Sequence, residues 1–140
     1  MAGLAAPQIG YSKRIIIFAV PNDPELKKWR PDLIDTMERT VWINPSYTPL
    51  SQEKHTDWEG CFSVKDLVGS VARFFEIAYT AFTKDGKKVE GTARGFLARV
   101  IQHETDHING KLFLDCDPDP LITMGELREI RSQITNERNA

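Results

Sequence analysis

The sequence predicts an α+β fold in which antiparallel or mixed β-sheets surround a central helix, with another helix at the C-terminus. Three observations predict this fold. Strand-like patterns recur through the first two thirds of the chain, an Asp-Gly pair supplies a hairpin turn, and a helical apolar period begins only from about Arg94. With 140 residues, we expect one domain over residues 1–140.

The first third of the chain suggests short strands between irregular segments. Residues 3–10 are small and bracketed by glycines, which predicts tightly placed backbone without a regular element. The β-branched run 14–20 predicts a buried strand, and the charged, proline-containing stretch 21–40 predicts a surface excursion. Residues 41–44 predict a short strand ended by the following proline, and 46–57 a polar loop with one extended piece.

The middle of the chain alternates clearly. Residues 71–83 predict one strand, and Lys88 to Thr92 its return strand after the turn at 84–87. Apolar spacing then predicts a helix that ends at Gly110. Asp119-Pro120 is typical of an N-cap followed by proline, which predicts that the last helix begins there.

Composition excludes several functional classes. The net charge of -2 and the pI near 5.9 give no electrostatic reason to expect a nucleic-acid or membrane partner. No apolar run is long enough for a membrane span, and the N-terminus lacks a secretory pattern. Two cysteines make no disulfide framework, so we expect a cytoplasmic, reducing environment.

The most informative motif is His103-Glu104-x-x-His107. Residues four apart stand above one another on a helix, so both imidazoles can address one divalent metal ion. Glu104 between them is placed to move a proton for an attacking water.

The third protein ligand has two kinds of candidate. A zincin-type peptidase would take a glutamate from a following helix, here Glu126 or Glu129, although both also fit a solvated helix face. Cys61, after Gly60, is the alternative, because a thiolate and two imidazoles form a familiar tetrahedral set.

Three motifs resemble those of the peptide deformylase family, in the same order. They are Gly3-Leu4-Ala5-Ala6-Pro7-Gln8, Glu59-Gly60-Cys61-Phe62-Ser63 and Gln102-His103-Glu104-Thr105-Asp106-His107. The resemblance extends from residue 1 to about Asp115. It implies an enzyme that removes the formyl group from formyl-methionyl nascent peptides, some of them ribosome-associated, and releases formate.

The resemblance also implies roles for individual residues. Cys61, His103 and His107 would hold one divalent metal ion, Fe²⁺ in the cell with Zn²⁺, Ni²⁺ or Co²⁺ as substitutes. Glu104 would act as general acid and base. The Gln8 amide and the backbone N–H of Phe62 would donate to the oxyanion, and one such donor contributes about 2.7–4 kcal/mol.

The same resemblance implies a peptide-binding surface. Ala2, Gly3 and Gly60 would present backbone groups to an extended peptide, while Phe96 and Val100 would line the methionine pocket or simply pack in the core. An ion pair between Glu59 and Arg73 is expected to hold the Cys61 loop.

The sequence departs from the family at its start. Family members carry a helix and a strand before the first motif, which predicts that apolar surface is exposed here, with lower stability or dimer formation as the result. A transit peptide lost with that segment would place the protein in an organelle. A catalytically silent module that binds metal or peptide is the remaining alternative.

Overall fold

The computed structural model describes residues 2–61 and 64–139, with side chains as far as residue 135. The strands are β1 (Gly3–Ala5), β2 (Ile15–Val20), β3 (Met37–Pro49), β4 (Lys54–Cys61), β5 (Val64–Phe74), β6 (Glu76–Phe82), β7 (Lys88–Arg94) and β8 (Leu121–Thr123). The α-helices are α1 (Pro24–Trp29), α2 (Phe96–Ile108) and α3 (Met124–Asn139). Two 3-10 turns, Ala6–Ile9 and Phe113–Cys116, complete the described elements.

The chain divides into two compact units. The larger comprises Met1–His55 and Arg73–Leu112, and the smaller comprises Thr56–Ala72 and Phe113–Ala140. One sheet has the strand order β1-β2-β3-β6-β7, and the other has the order β4-β5-β8. Every strand pair with a described register is antiparallel. The predicted α+β fold, with antiparallel sheets, a helix carrying the histidine motif and a C-terminal helix, is confirmed.

The core of the larger unit lies between α2 and the five-stranded sheet. The strand β2 alternates between buried and partly exposed residues, so one of its faces points inward. The helix contacts β1, β2, β3 and β7. Aliphatic and aromatic side chains are buried between the helix and the sheet, and their burial stabilises the packing of α2. The largest of them are Ile16, Phe18, Trp42, Ile77, Phe96, Leu97 and Ile101.

The strand β3 is much longer than the sequence predicted. Its pairing with β6 changes register between Ile43 and Ser46, and Asn44 has a φ of 50°. A bulge of this kind accommodates Pro45, which has no N–H to donate to a ladder. The prediction that the strand ends before Pro45, with a loop after it, was therefore wrong.

The alternating stretch 71–83 is two strands and not one. The strand β5 ends at Phe74 and β6 begins at Glu76, in different sheets. Alternation alone cannot locate such a break, because both strands keep the same period. The predicted hairpin is confirmed: Gly86 has a φ of 80° in the turn, and β6 pairs with β7 along its length.

Two early segments are more regular than predicted. Residues 3–10 include β1, paired with β2, and a 3-10 turn. The stretch 21–40 holds α1, whose N-cap Asp23 accepts the Glu25 N–H, and the start of β3. Pattern reasoning missed both because three to six residues carry too little periodicity.

The last helix begins later than predicted. Leu121–Thr123 forms β8, so Asp119-Pro120 does not cap α3. Thr123 is the residue that caps it: its Oγ1 accepts the Glu126 N–H at 3.1 Å, and Glu126 Oε1 accepts the Thr123 N–H at 3.2 Å. This reciprocal pair is the capping box that a Thr-x-x-Glu sequence encodes. Among the described helices, we find none with the length and apolar character to cross a membrane.

Candidate metal centre

The helix α2 positions the histidine motif, and glycines fix both of its ends. Gly95 precedes it with a φ of 69°, and a side chain there would collide with the carbonyl oxygen of Asp32. That same oxygen accepts the Phe96 N–H at 2.9 Å. Gly110 has a φ of 78° and donates to the His107 carbonyl, which confirms the predicted helix end.

His103 and His107 converge as the sequence predicted. Their Nε2 atoms lie 3.2 Å apart, with the ring planes at 75°. Two imidazole nitrogens bound to one tetrahedral ion at about 2.0–2.1 Å would stand about 3.3 Å apart. The pair therefore has the separation that a shared metal ion requires. The third histidine, His55, is exposed, stacks on Phe75 and lies 3.3 Å from Glu53.

Cys61, the last residue of β4, completes a group suited to a metal ion. Its Sγ, one ring nitrogen of His103 and one ring nitrogen of His107 all lie within 4.8 Å of one another. Among the described residues, no other set of three such side chains has this geometry. One thiolate and two imidazoles suit a first-row divalent ion with one position open, so the donor set fits the metal that the sequence predicted.

The glutamates of the zincin-type alternative do not join this group. Glu126 is exposed and caps α3, and Glu129 is exposed on the same helix. Both therefore have the solvated helix position that was the competing interpretation.

Glu104 is buried beside the two histidines. Its side chain is 5% exposed, and its Oε1 lies 3.9 Å from Nε2 of His107. A carboxylate at this distance can reach a water that also touches the point where the imidazoles converge. The position suits proton transfer, as the motif predicted.

Gln8 is held by its own neighbourhood. Its Oε1 accepts the N–H of Ala5 at 2.7 Å, within the short 3-10 turn after β1. This bond fixes the orientation of the amide and assigns its oxygen to the backbone. The NH₂ end of the amide is the donor that the predicted oxyanion role needs.

Of the residues predicted to contact substrate, two lie in strands and two are buried in the core. Gly3 lies in β1 and Gly60 in β4, while Phe96 and Val100 are buried in the core of the larger unit. The guanidinium of Arg30 lies 4.7 Å from the centre of the Phe96 ring. Core packing is thus observed for Phe96 and Val100, and their pocket role stays a prediction. The predicted backbone donor of Phe62 lies outside the described residues.

Sequence reasoning missed an important residue inside the motif itself. Asp106 is buried, and its carboxylate accepts from Arg73 at 2.7 Å and from the hydroxyl of Tyr47 at 2.8 Å. Glu59 is also buried, and its predicted pairing with Arg73 stays a prediction. An acidic residue on the buried side of an amphipathic helix was the available signal for Asp106.

Comparisons with known proteins place these residues in context. The family model of polypeptide deformylase matches residues 1–120. The chain is 58% identical over 139 residues to peptide deformylase 2 of Rickettsia conorii, covering 99% of this chain and 69% of that protein. Other curated peptide deformylases are matched over 60% of their own length.

Solved structures agree with the sequence matches. A class I type b peptide deformylase of Acinetobacter baumannii, bound to Met-Ala-Ser, superimposes with a TM-score of 0.72 at 38% identity. That match covers 82% of this chain and 69% of the other. A peptide deformylase of Ehrlichia chaffeensis gives 0.72 at 30% identity, over 99% of this chain and 74% of the other.

Proposed function

Because the chain belongs to the polypeptide deformylase family, we propose that it removes the N-terminal formyl group from formyl-methionyl peptides and releases formate. Family membership is what the three sequence motifs predicted. The observation that carries the proposal is the convergence of two imidazoles and a thiol beside a buried glutamate. This combination supports a deformylase over a zincin-type peptidase, whose glutamate ligand has no counterpart in the described group.

Cys61, His103 and His107 would hold the divalent metal ion. When bound, the ion would act as a Lewis acid on the attacking water and the formyl carbonyl. The donor set accepts several first-row ions, and Fe²⁺ is the ion proposed for the cell, with Zn²⁺, Ni²⁺ or Co²⁺ able to substitute.

Different residues of the chain have different proposed roles in the hydrolysis. Glu104 accepts a proton from the attacking water, whose oxygen bonds to the formyl carbon. As the carbon–nitrogen bond breaks, Glu104 returns the proton to the leaving amine, so that formate and a free N-terminus result. The Gln8 amide donates to the carbonyl oxygen as negative charge develops on it, with the Phe62 N–H as the second proposed donor.

The proposed substrate is an extended peptide. The A. baumannii structure holds Met-Ala-Ser, a peptide that begins with methionine. Gly3 and Gly60 would present backbone groups to such a peptide, and Phe96 and Val100 would bound the pocket for its methionine. Nascent chains on cytoplasmic ribosomes are the proposed source. Dimer formation stays a prediction.

The decisive experiment separates metal binding from turnover. We would purify the wild type, Cys61→Ala and Glu104→Ala anaerobically, then measure bound metal and formate release from a formyl-methionyl peptide. The proposal expects metal loss in the cysteine variant, and retained metal with lost turnover in the glutamate variant. Cys116→Ala and Glu129→Ala are matched controls that should keep both properties.

Two results would contradict the proposal. Metal retained in full by Cys61→Ala would exclude the proposed ligand set and favour another third ligand. Metal bound by every variant without formate release from the wild type would indicate a silent binding module.

A further inference from the structure

We propose that Arg73, Tyr47 and the backbone of Phe74 act as a clamp that sets the rotation of α2 about its axis, and thereby fixes where the point shared by His103 and His107 lies relative to Cys61, the proposed third ligand. The clamp grips the helix through Gln102 and Asp106, which makes these two the positioning residues for the histidines. This inference rests on the metal site of the proposed function and extends it to residues that bind neither metal nor substrate.

The first grip is on Asp106, in the last turn of α2. Arg73 Nη1 donates to Asp106 Oδ2 at 2.7 Å, and these side chains are 5% and 8% exposed. The Tyr47 hydroxyl donates to Oδ1 at 2.8 Å. Each oxygen of the buried Asp106 carboxylate thus accepts one short hydrogen bond. An aspartate engaged in this way is held in place and does not compete as a metal ligand.

The second grip is on Gln102, one turn earlier and 1% exposed. Its Oε1 accepts the Phe74 N–H at 3.1 Å, and its Nε2 donates to the Phe74 carbonyl at 2.9 Å. Nε2 also donates to the Ala98 carbonyl at 3.0 Å. The amide therefore joins the backbone at the end of β5 to the helix.

The two residues held by the clamp have the same spacing in the sequence as the two histidines. Gln102 and Asp106 are four residues apart, as are His103 and His107, and each gripped residue directly precedes a histidine in the sequence. Two consecutive residues of β5, Arg73 and Phe74, provide the partners. A strand end that contacts a helix at two levels resists rotation of that helix as well as its displacement.

Rotation of α2 would weaken metal binding because metal sites tolerate only small errors in ligand position. Side-chain atoms lie about 5–6 Å from a helix axis, so a rotation of about 10° moves them by about 1 Å. Ligand distances in a metal site are held to about 0.2 Å. Both imidazoles lie on one helix and would move together, so the point at which they converge would shift relative to Cys61, the proposed third ligand, which does not lie on this helix.

The test uses cobalt as the probe, because Co²⁺ reports its ligand geometry through visible absorption. Apo wild type, Asp106→Asn and Tyr47→Phe would be titrated anaerobically with Co²⁺ alone, well below their melting temperatures. We expect about 10–100-fold weaker binding for Asp106→Asn, as for other groups that orient ligands, with shifted absorption bands. Tyr47→Phe keeps the Arg73 bond and should show a smaller change in the same direction.

Asp35→Asn is the matched control. It weakens a second Asp–Arg pair, in which Arg94 Nη2 lies 3.2 Å from Asp35 Oδ1 at the surface, with the side chains 48% and 30% exposed. The hydrogen bond and charge of Asp35 raise the pKa of Arg94 above its ordinary value. We expect cobalt affinity and absorption bands equal to those of the wild type.

The outcomes are distinct. Wild-type cobalt affinity and bands in a folded Asp106→Asn variant would overturn the inference. If that variant does not fold, unchanged affinity and bands in folded Tyr47→Phe would overturn it. Failure of the wild-type chain itself to bind cobalt would contradict the metal site of the proposed function, and the inference with it.

Discussion

A Cβ atom placed on Gly3 would lie 2.5 Å from Oε2 of Glu104, closer than carbon and oxygen atoms approach without a bond. The Cγ and Cδ atoms of Glu104 would lie at 2.7 and 2.9 Å, so the whole end of the glutamate side chain occupies the space in front of this glycine. Gly3 lies in β1, at the edge of the sheet on which α2 rests. The missing side chain is therefore what allows the carboxylate its position.

Replacing Gly3 with alanine should lower kcat by about 100-fold, the effect of misplacing a reacting group by about 1 Å. The histidines are not displaced by this change, so metal content should stay at the wild-type level. Steady-state formate release and metal analysis would measure both.

Gly125→Ala is the control for the Gly3 variant. The nearest atom to a Cβ there is Thr123 Oγ1 at 3.8 Å, and alanine suits a helix better than glycine. Wild-type turnover in Gly3→Ala would show that Glu104 adjusts freely or is not the proton carrier.

Metal loading should raise the melting temperature of the apo protein. At a free metal concentration of about 100 Kd, binding contributes about 2.7 kcal/mol. For a chain of this size that corresponds to a shift of about 5–10 °C. Cys61→Ala should lose most of the shift, while Cys116→Ala should keep it, and scanning calorimetry of loaded and apo samples would measure both. Equal shifts in the two variants would contradict the assignment of Cys61.

Replacing Gln102 with leucine should destabilise the fold. The change removes the bonds to Phe74 and leaves its buried N–H and carbonyl without the amide partner, at a cost of about 1–3 kcal/mol for each group. Urea denaturation would give the free energy of unfolding. Gln133→Leu on the exposed face of α3 should change it by less than about 0.5 kcal/mol. Similar losses in both variants would argue against the buried contact as the cause.

Replacing Thr123 with alanine should cost about 1 kcal/mol of stability, the usual effect of losing an N-cap. Chemical denaturation would measure it, with Ser132→Ala at an exposed position of α3 as the reference. Because Glu126 belongs to the same cap, Glu126→Ala should lose stability and keep its metal. A metal-free but stable Glu126 variant would revive the zincin-type interpretation.

Local signals in the sequence predicted what local physics determines. The spacing of His103 and His107, the Asp-Gly turn and the helix-ending Gly110 each act within a few residues, and the structure has all three. The capping box at Thr123 and Glu126 was equally local. It was missed because the proline beside Asp119 is a stronger but misleading helix-start signal.

Long-range contacts were beyond the sequence. Tyr47 is 59 residues from Asp106, and Arg73 is 33 residues from it, so no periodicity relates them. The end of β5 at Phe74 depends equally on which sheet each half of the stretch joins. The sequence pattern could predict that α2 carries the histidines, but not which contacts fix the rotation of the helix about its axis.

The bulge in β3 determines which face of the strand the side chains after it occupy. Side chains alternate between the faces of a strand, so Trp42 and Tyr47, five positions apart, would point in opposite directions on a regular one. With the extra residue near Asn44, Trp42 and Pro45 are both buried and Tyr47 reaches Asp106. Deleting that residue would reverse the parity of the strand and carry the tyrosine hydroxyl to the far face. Related chains should therefore tolerate substitutions at this point far better than changes in length.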